Sequence, residues 1–172
     1  EWLQLIVDND MVPAPVMFWD CNPGLPFSSY RLQTYIETGH MMLERWQRFN
    51  PLWILAGDGD YRSSAQVDKW KSIGRAVFQD YPDALATMHP GGCTWIAENF
   101  ADEPWYSFVG VQSGHGSSPN DLRFLLNGPY TTRWQSIRKP FINMEYNYEF
   151  GHSYHDFALV YEAYHIRRGA WW

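Results

Sequence analysis

The sequence predicts an α/β fold of the (β/α)₈ TIM-barrel type, and three observations carry that reading. Five short apolar runs alternate with segments of helical period, the pattern of parallel strands linked by helices. Each run stops at a polar residue: Asp20, Asp58, His89, His115 and Glu145. These residues are separated by 38, 31, 26 and 30 positions, about the length of one βα unit. Parallel strands joined this way put all their C-terminal ends on one face, and a polar rim over apolar strands is how a barrel builds a site. A doubly wound open sheet is the rival, but no glycine-rich phosphate fingerprint follows any run.

Taken in order, residues 1–9 read as the last turns of a helix, because no capping residue precedes their apolar positions. Met11 to Asp20 reads as the first strand, weakened by Pro13 and Pro15, which cannot donate to a ladder. From Ser29 to Phe49 the apolar residues Leu32, Tyr35, Ile36, Met42, Leu43, Trp46 and Phe49 recur at helical spacing. Asn50-Pro51 ends that helix. Leu52 to Ala56 forms the second strand, closing in Gly57-Asp58-Gly59-Asp60.

Ser63 or Ser64 can cap the next helix, whose stripe is Val67, Trp70, Ile73, Val77 and Tyr81. A third strand spans 84–92 and ends in His89 and a glycine turn; a fourth spans 105–115 and ends in Gln112 and His115. Residues 117–138 are helix-like around Leu122, Leu125 and Leu126, are broken at Asn127-Gly128-Pro129, and resume through Trp134 and Ile137. Lys139 to Glu149 holds the fifth strand. A final helix is expected over 153–170, from Phe157, Val160, Tyr161 and Tyr164.

Composition excludes several classes of function. A chain of 172 residues suits one domain with a substantial core. The net charge is −6 and Lys and Arg are scattered, so no footprint for nucleic acid is present. No apolar stretch nears the ~20 residues needed to span a bilayer, and a start containing Glu1, Asp8 and Asp10 lacks the basic region of a signal peptide. Cys21 and Cys93 are too few and too far apart for a zinc motif or a disulfide framework, and they are read as either paired or free. Aromatic residues make up 18% of the chain, more than a core alone usually requires, which hints at a surface that stacks on a ligand.

The chemistry concentrates on Asp58 and Glu145. Two carboxylates facing each other across a pocket suit glycoside hydrolysis, in which one protonates the leaving oxygen while the other attacks the anomeric carbon or activates water. Asp60 and Glu149 lie a few residues further on; Asp58 and Glu145 are preferred because they stand closest to rigid strand ends. His89, Gln112 and His115 would bind substrate hydroxyls or tune the carboxylates. Asp20, Asp58, His89, His115, His152 and His155 would be the pool for a metal hydrolase, but no strand carries a His-x-His pair, so neither metal nor cofactor is expected.

Trp53-Ile-Leu-Ala-Gly-Asp58, Met88-His-Pro-Gly-Gly92, Val111-Gln-Ser-Gly-His115 and Lys139-Pro-Phe-Ile-Asn-Met-Glu-Tyr-Asn-Tyr-Glu149 occur in an order that resembles the apiosidase-like glycoside hydrolases, bacterial TIM-barrel enzymes directed at plant polysaccharides. The resemblance runs from about Met11 to Trp172. It implies that Asp58 ends the fourth barrel strand as the acid/base and Glu145 ends the seventh as the nucleophile of a retaining mechanism. It further implies a carbohydrate substrate, a sugar site lined by Trp19, Asp20, His89, Gln112, His115 and Tyr148, and a secreted or periplasmic location. The chain departs from the family's usual Gly-Gly-Asp with Ala56-Gly57-Asp58, and from Gly-Glu-Pro with Met144-Glu145-Tyr146. Aligned this way, the five strands are the third to seventh of the barrel. Residues 1–172 are then expected to be a partial barrel with exposed sheet edges.

Overall fold

The computed structural model describes residues 1–20, 30–116, 119–153 and 156–171. Five strands, β1 (Val16–Trp19), β2 (Leu52–Gly59), β3 (Leu85–Pro90), β4 (Val109–Gln112) and β5 (Phe141–Glu145), alternate with helices. The helices are α1 (Trp2–Asp8), α2 (Leu32–Trp46), α3 (Ser64–Phe78), α4 (Ala97–Phe100), α5 (Pro119–Asn127), α6 (Pro129–Ile137) and α7 (Ala163–Trp171). None of the described helices is long and apolar enough to cross a membrane.

Among the described residues every ladder is parallel, and neighbours in space are neighbours in sequence: β1-β2-β3 form one sheet and β4-β5 a second. Val16 pairs with Ile54 and Phe18 with Ala56, Ile54 pairs with Thr87, and Val109 pairs with Phe141. The two sheets meet where a side chain stands in for backbone. Thr87 donates its hydroxyl to the Phe108 carbonyl at 2.6 Å and accepts from the Gly110 N–H at 3.1 Å. A single parallel bridge, Ala86 to Tyr106, continues the contact. The arc therefore runs through all five strands, although the regular ladder stops at β3.

Part of the aromatic excess packs the core. Trp53, Trp70, Tyr35, Tyr61, Phe18, Phe100 and Tyr106 are fully buried. Tyr35 packs edge-on against Phe18 and Trp70, with ring centroids 5.0 and 5.5 Å apart, a geometry the ring quadrupoles favour. The apolar stripe of α3 points inward as its period requires, burying Trp70, Ile73 and Val77. Ser63 caps that helix by accepting from the Gln66 N–H.

Several boundaries differ from the sequence expectation. The first strand begins at Val16, not Met11: the carbonyls of Pro13 and Pro15 accept from Leu52 and Ile54, but prolines have no N–H to return. The fourth strand begins at Val109 instead of Trp105, because Trp105 and Tyr106 turn into the core with Phe100. The last helix starts at Ala163; Phe157, Val160 and Tyr161 precede it in an extended return whose spacing imitates a helical stripe. The short helix α4 lies in the connection between the third and fourth strands, for which the sequence predicts no element. Cys21 and His155 lie outside the described residues.

Candidate active site

Asp58 reaches the rim through an irregular strand end. The β2–β3 ladder slips between Gly57 and Gly59, and Asp58 itself has a φ of +58°, in the left-handed region that aspartate tolerates better than most residues. Glu145 ends β5, opposite Gln112 in the parallel register. Both carboxylates line one cleft of about 630 Å³, together with Gln112, His115, Tyr148 and Tyr161.

Glu145 is held from three sides. Its Oε2 lies 3.0 Å from Nε2 of His89, its Oε1 lies 2.8 Å from Nε2 of His115, and the Tyr148 hydroxyl donates to Oε1 as well. Nδ1 of His115 is 2.9 Å from the carbonyl of Tyr146. A carbonyl can only accept, so Nδ1 carries a proton and donates it to that oxygen. The opposite ring edge, Nε2, faces the Glu145 carboxylate at hydrogen-bond distance. The fully buried Tyr161 fixes the same loop, donating its hydroxyl to the His115 carbonyl at 2.5 Å. The Tyr148 ring lies over His115, with centroids 4.5 Å apart.

His89, 4% exposed, approaches Glu145 from the end of β3. Trp19 packs edge-on against it at 6.1 Å while remaining 42% exposed. Asp20 is used differently: one oxygen accepts from the buried Trp70 indole at 3.0 Å and the other lies 3.8 Å from Lys69. Its side chain is 8% exposed, so a structural hydrogen bond occupies the carboxylate expected at the sugar. Among the described residues no group of three or more His, Cys, Asp or Glu side chains is placed to hold a metal ion.

A family model described as "Apiosidase-like, catalytic domain" matches residues 1–172. The chain belongs to that family. The apiosidase-like domain also superposes on the crystal structure of a glycoside hydrolase family 5 protein from Bacteroides vulgatus ATCC 8482, with a TM-score of 0.74 and 22% identity. That likeness covers 99% of this chain and 38% of the other, so the domain spans well under half the length of that neighbour. No curated protein matches the chain.

The alternative carboxylates of the apiosidase-like domain are placed otherwise. Asp60 pairs with Arg62 on the exposed side, and Glu149 is exposed one residue past Tyr148. Sequence reasoning missed Tyr161, which it assigned to a helix face, and Gly151, and it weighed His152 only as a metal ligand; all three line the cleft. The signal available for them was proximity: the segment leaves the Glu145 strand end with a glycine and no apolar period to carry it away.

Proposed function

We propose that the domain is a glycoside hydrolase acting on a plant-type polysaccharide by a retaining, two-carboxylate mechanism. Glu145 is the nucleophile, Asp58 is the acid/base, and the five strands are the third to seventh of a (β/α)₈ barrel. The observation that supports this most directly is the clamp on Glu145. Its carboxylate, set between His89, His115 and Tyr148, opens into the cleft that Asp58 also lines. Partners on both oxygens fix the orientation of the carboxylate, as a nucleophile requires.

In the first step the Asp58 carboxylic acid gives its proton to the glycosidic oxygen. A Glu145 oxygen bonds to the anomeric carbon as the carbon–oxygen bond breaks, and the leaving alcohol departs with the proton. In the second step the Asp58 carboxylate takes a proton from water. The hydroxyl adds to the anomeric carbon and Glu145 is released, with configuration retained and Asp58 again protonated. The His115 ring bridges the Tyr146 carbonyl and Glu145 and holds the carboxylate in position through both steps.

The test is Glu145→Gln and Asp58→Asn in the intact protein, assayed on aryl glycosides, with the first-formed sugar anomer followed by NMR. The expected result is loss of at least about 10³-fold in turnover for Glu145→Gln and a product anomer matching the substrate. Undiminished turnover in both variants overturns the reading, and an inverted product overturns its retaining form.

A further inference from the structure

Resting on that reading, we propose that Asn143 is a positioning residue for Glu145: its side-chain amide holds the bulge in β5 that turns the carboxylate into the cleft. The sequence marks the position, since Asn143 is a polar residue set between Phe141-Ile142 and Met144 in an otherwise apolar run, where asparagine is disfavoured. In the β4–β5 ladder Val111 pairs with Asn143, but the next residue, Gln112, pairs with Glu145, so β5 carries one residue more than its partner. Side chains two apart in a regular strand share a face. Here the extra residue separates them. Asn143 turns to α7, donating from Nδ2 to the Gly169 carbonyl at 3.3 Å, while Glu145 turns to His89 and His115 in the cleft. Re-aiming a side chain is what a bulge does beside an active site.

The amide closes the gap that the bulge leaves. The buried Ser113 donates its N–H to the Glu145 carbonyl at 3.0 Å and shares it with Oδ1 of Asn143 at 3.3 Å. In return Nδ2 of Asn143 donates to the Ser113 hydroxyl at 3.0 Å. An N–H must meet an oxygen and a carbonyl must meet an N–H, so Ser113 and Gly169 fix which way round the amide lies. Aspartate fits the volume but sets a carboxylate oxygen against the Gly169 carbonyl. The bond to Gly169 also fixes the turn of α7 that backs the chain after the nucleophile: a methyl group on Gly169 would meet Tyr146 Cδ2 at 2.8 Å and Cβ at 3.0 Å, and the Tyr146 carbonyl carries the His115 bond. Asn143 therefore reaches the carboxylate by two routes, through Ser113 and the Glu145 backbone, and through α7, Tyr146 and His115.

The experiment compares Asn143→Ala, Asn143→Asp and Ser113→Ala with Glu145→Gln in the intact protein, by crystallography and by kinetics on an aryl glycoside below the Tm of every variant. In Asn143→Ala the Glu145 carboxylate should move beyond hydrogen-bond reach of His89 or His115, and kcat should fall about 10- to 100-fold with KM within about threefold. Asn143→Asp, which keeps the volume but not the bond to Gly169, should fall in the same direction. Ser113→Ala, which keeps the N–H, should lose less than Asn143→Ala. Adding Asn143→Ala to Glu145→Gln should leave binding of the aryl glycoside, measured by calorimetric titration, within about twofold, because Asn143 acts only through the carboxylate. Glu145 still held by both histidines in Asn143→Ala, a kcat within about twofold of the parent, a loss carried by KM, weaker binding in the Glu145→Gln background, or failure of both Asn143 variants to fold each overturns the proposal. Undiminished turnover in Glu145→Gln overturns the hydrolase reading instead, and the crystal structure of Asn143→Ala then still decides whether Asn143 aims the carboxylate.

Discussion

His115 binds Glu145 and the chain just beyond it with opposite edges of one ring: Nε2 is 2.8 Å from the carboxylate and Nδ1 is 2.9 Å from the carbonyl of Tyr146. The ring therefore locks the nucleophile candidate to its own backbone. Replacing His115 by Phe keeps a ring of similar size but removes both bonds. The expected outcome is a fall in kcat of about 10- to 100-fold, the usual effect of losing an orienting partner, with a smaller change in KM. Tyr148→Phe removes only the second donor to Oε1 and should cost less. The double variant should lose less than the product of the two, since both act on one oxygen. Steady-state kinetics on an aryl glycoside read all three; strictly multiplicative losses would show that the two residues act separately.

Asp58 occupies a left-handed conformation, with a φ of +58°. Asn shares the tolerance of Asp for that region, whereas a β-branched residue does not. Asp58→Asn should fold with an unchanged Tm and lose activity mainly on substrates with poor leaving groups, because a good leaving group needs no proton. Asp58→Val should in addition lower stability by about 1–2 kcal/mol. Thermal unfolding and a series of aryl leaving groups measure the two effects independently. A flat dependence on the leaving group in Asp58→Asn would remove the acid role.

Gly110 lets β4 sit between its neighbours. A methyl group there would meet the Met144 Cε at 2.1 Å and the Met88 carbonyl at 2.5 Å, and the second obstacle is backbone of β3. Gly110→Ala should therefore destabilise the protein by about 1–3 kcal/mol, the range for overpacking. Because Met144 adjoins Glu145, it should also depress kcat. Gly92, whose added methyl would meet only Gly114 Cα at 3.6 Å, is the control: Gly92→Ala should leave Tm within about 1 °C. Differential scanning calorimetry on both variants decides this, and equal Tm values would mean that β4 can shift.

How far the sequence could be read follows from which physical signals are local. The strand ends were legible because an apolar run that stops at a charged residue is a local pattern, and Asp58 and Glu145 both lie at such stops. The use of Asp20 was not legible: it depends on the Trp70 indole, 50 positions away, and a carboxylate at a rim looks the same whether it faces a sugar or a buried N–H. The return through Tyr161 was misread for a related reason. Aromatic residues spaced three or four apart fit a helix, yet here Tyr161 is buried at the cleft while Phe157 is exposed, and the cross-chain bonds of Phe150 and Ser153 reveal the turn. Tyr148 was placed near the sugar, while its bond to the Glu145 carboxylate depends on how the chain bends after β5.

The pairing of Arg75 with Glu103 ties α3 to the segment that leads into β4, and its two partners are unequally buried. Glu103 accepts two hydrogen bonds from the guanidinium, both at 2.7 Å, with Lys71 at 3.7 Å. Its side chain is 2% exposed, against 61% for Arg75. Glu103 raises the pKa of Arg75, through the hydrogen bonds first and its charge second. Removing either member is therefore not equivalent. Glu103→Gln leaves an arginine that can turn to water, whereas Arg75→Ala strands a buried carboxylate with one distant cation. Arg75→Ala should lower Tm more than Glu103→Gln does. Adding Glu103→Leu to Arg75→Ala should recover part of the loss, because an apolar side chain needs no partner there. Thermal unfolding of the three variants measures the order, and a larger loss in Glu103→Gln would mean that the exposed guanidinium, not the buried carboxylate, depends on the pair.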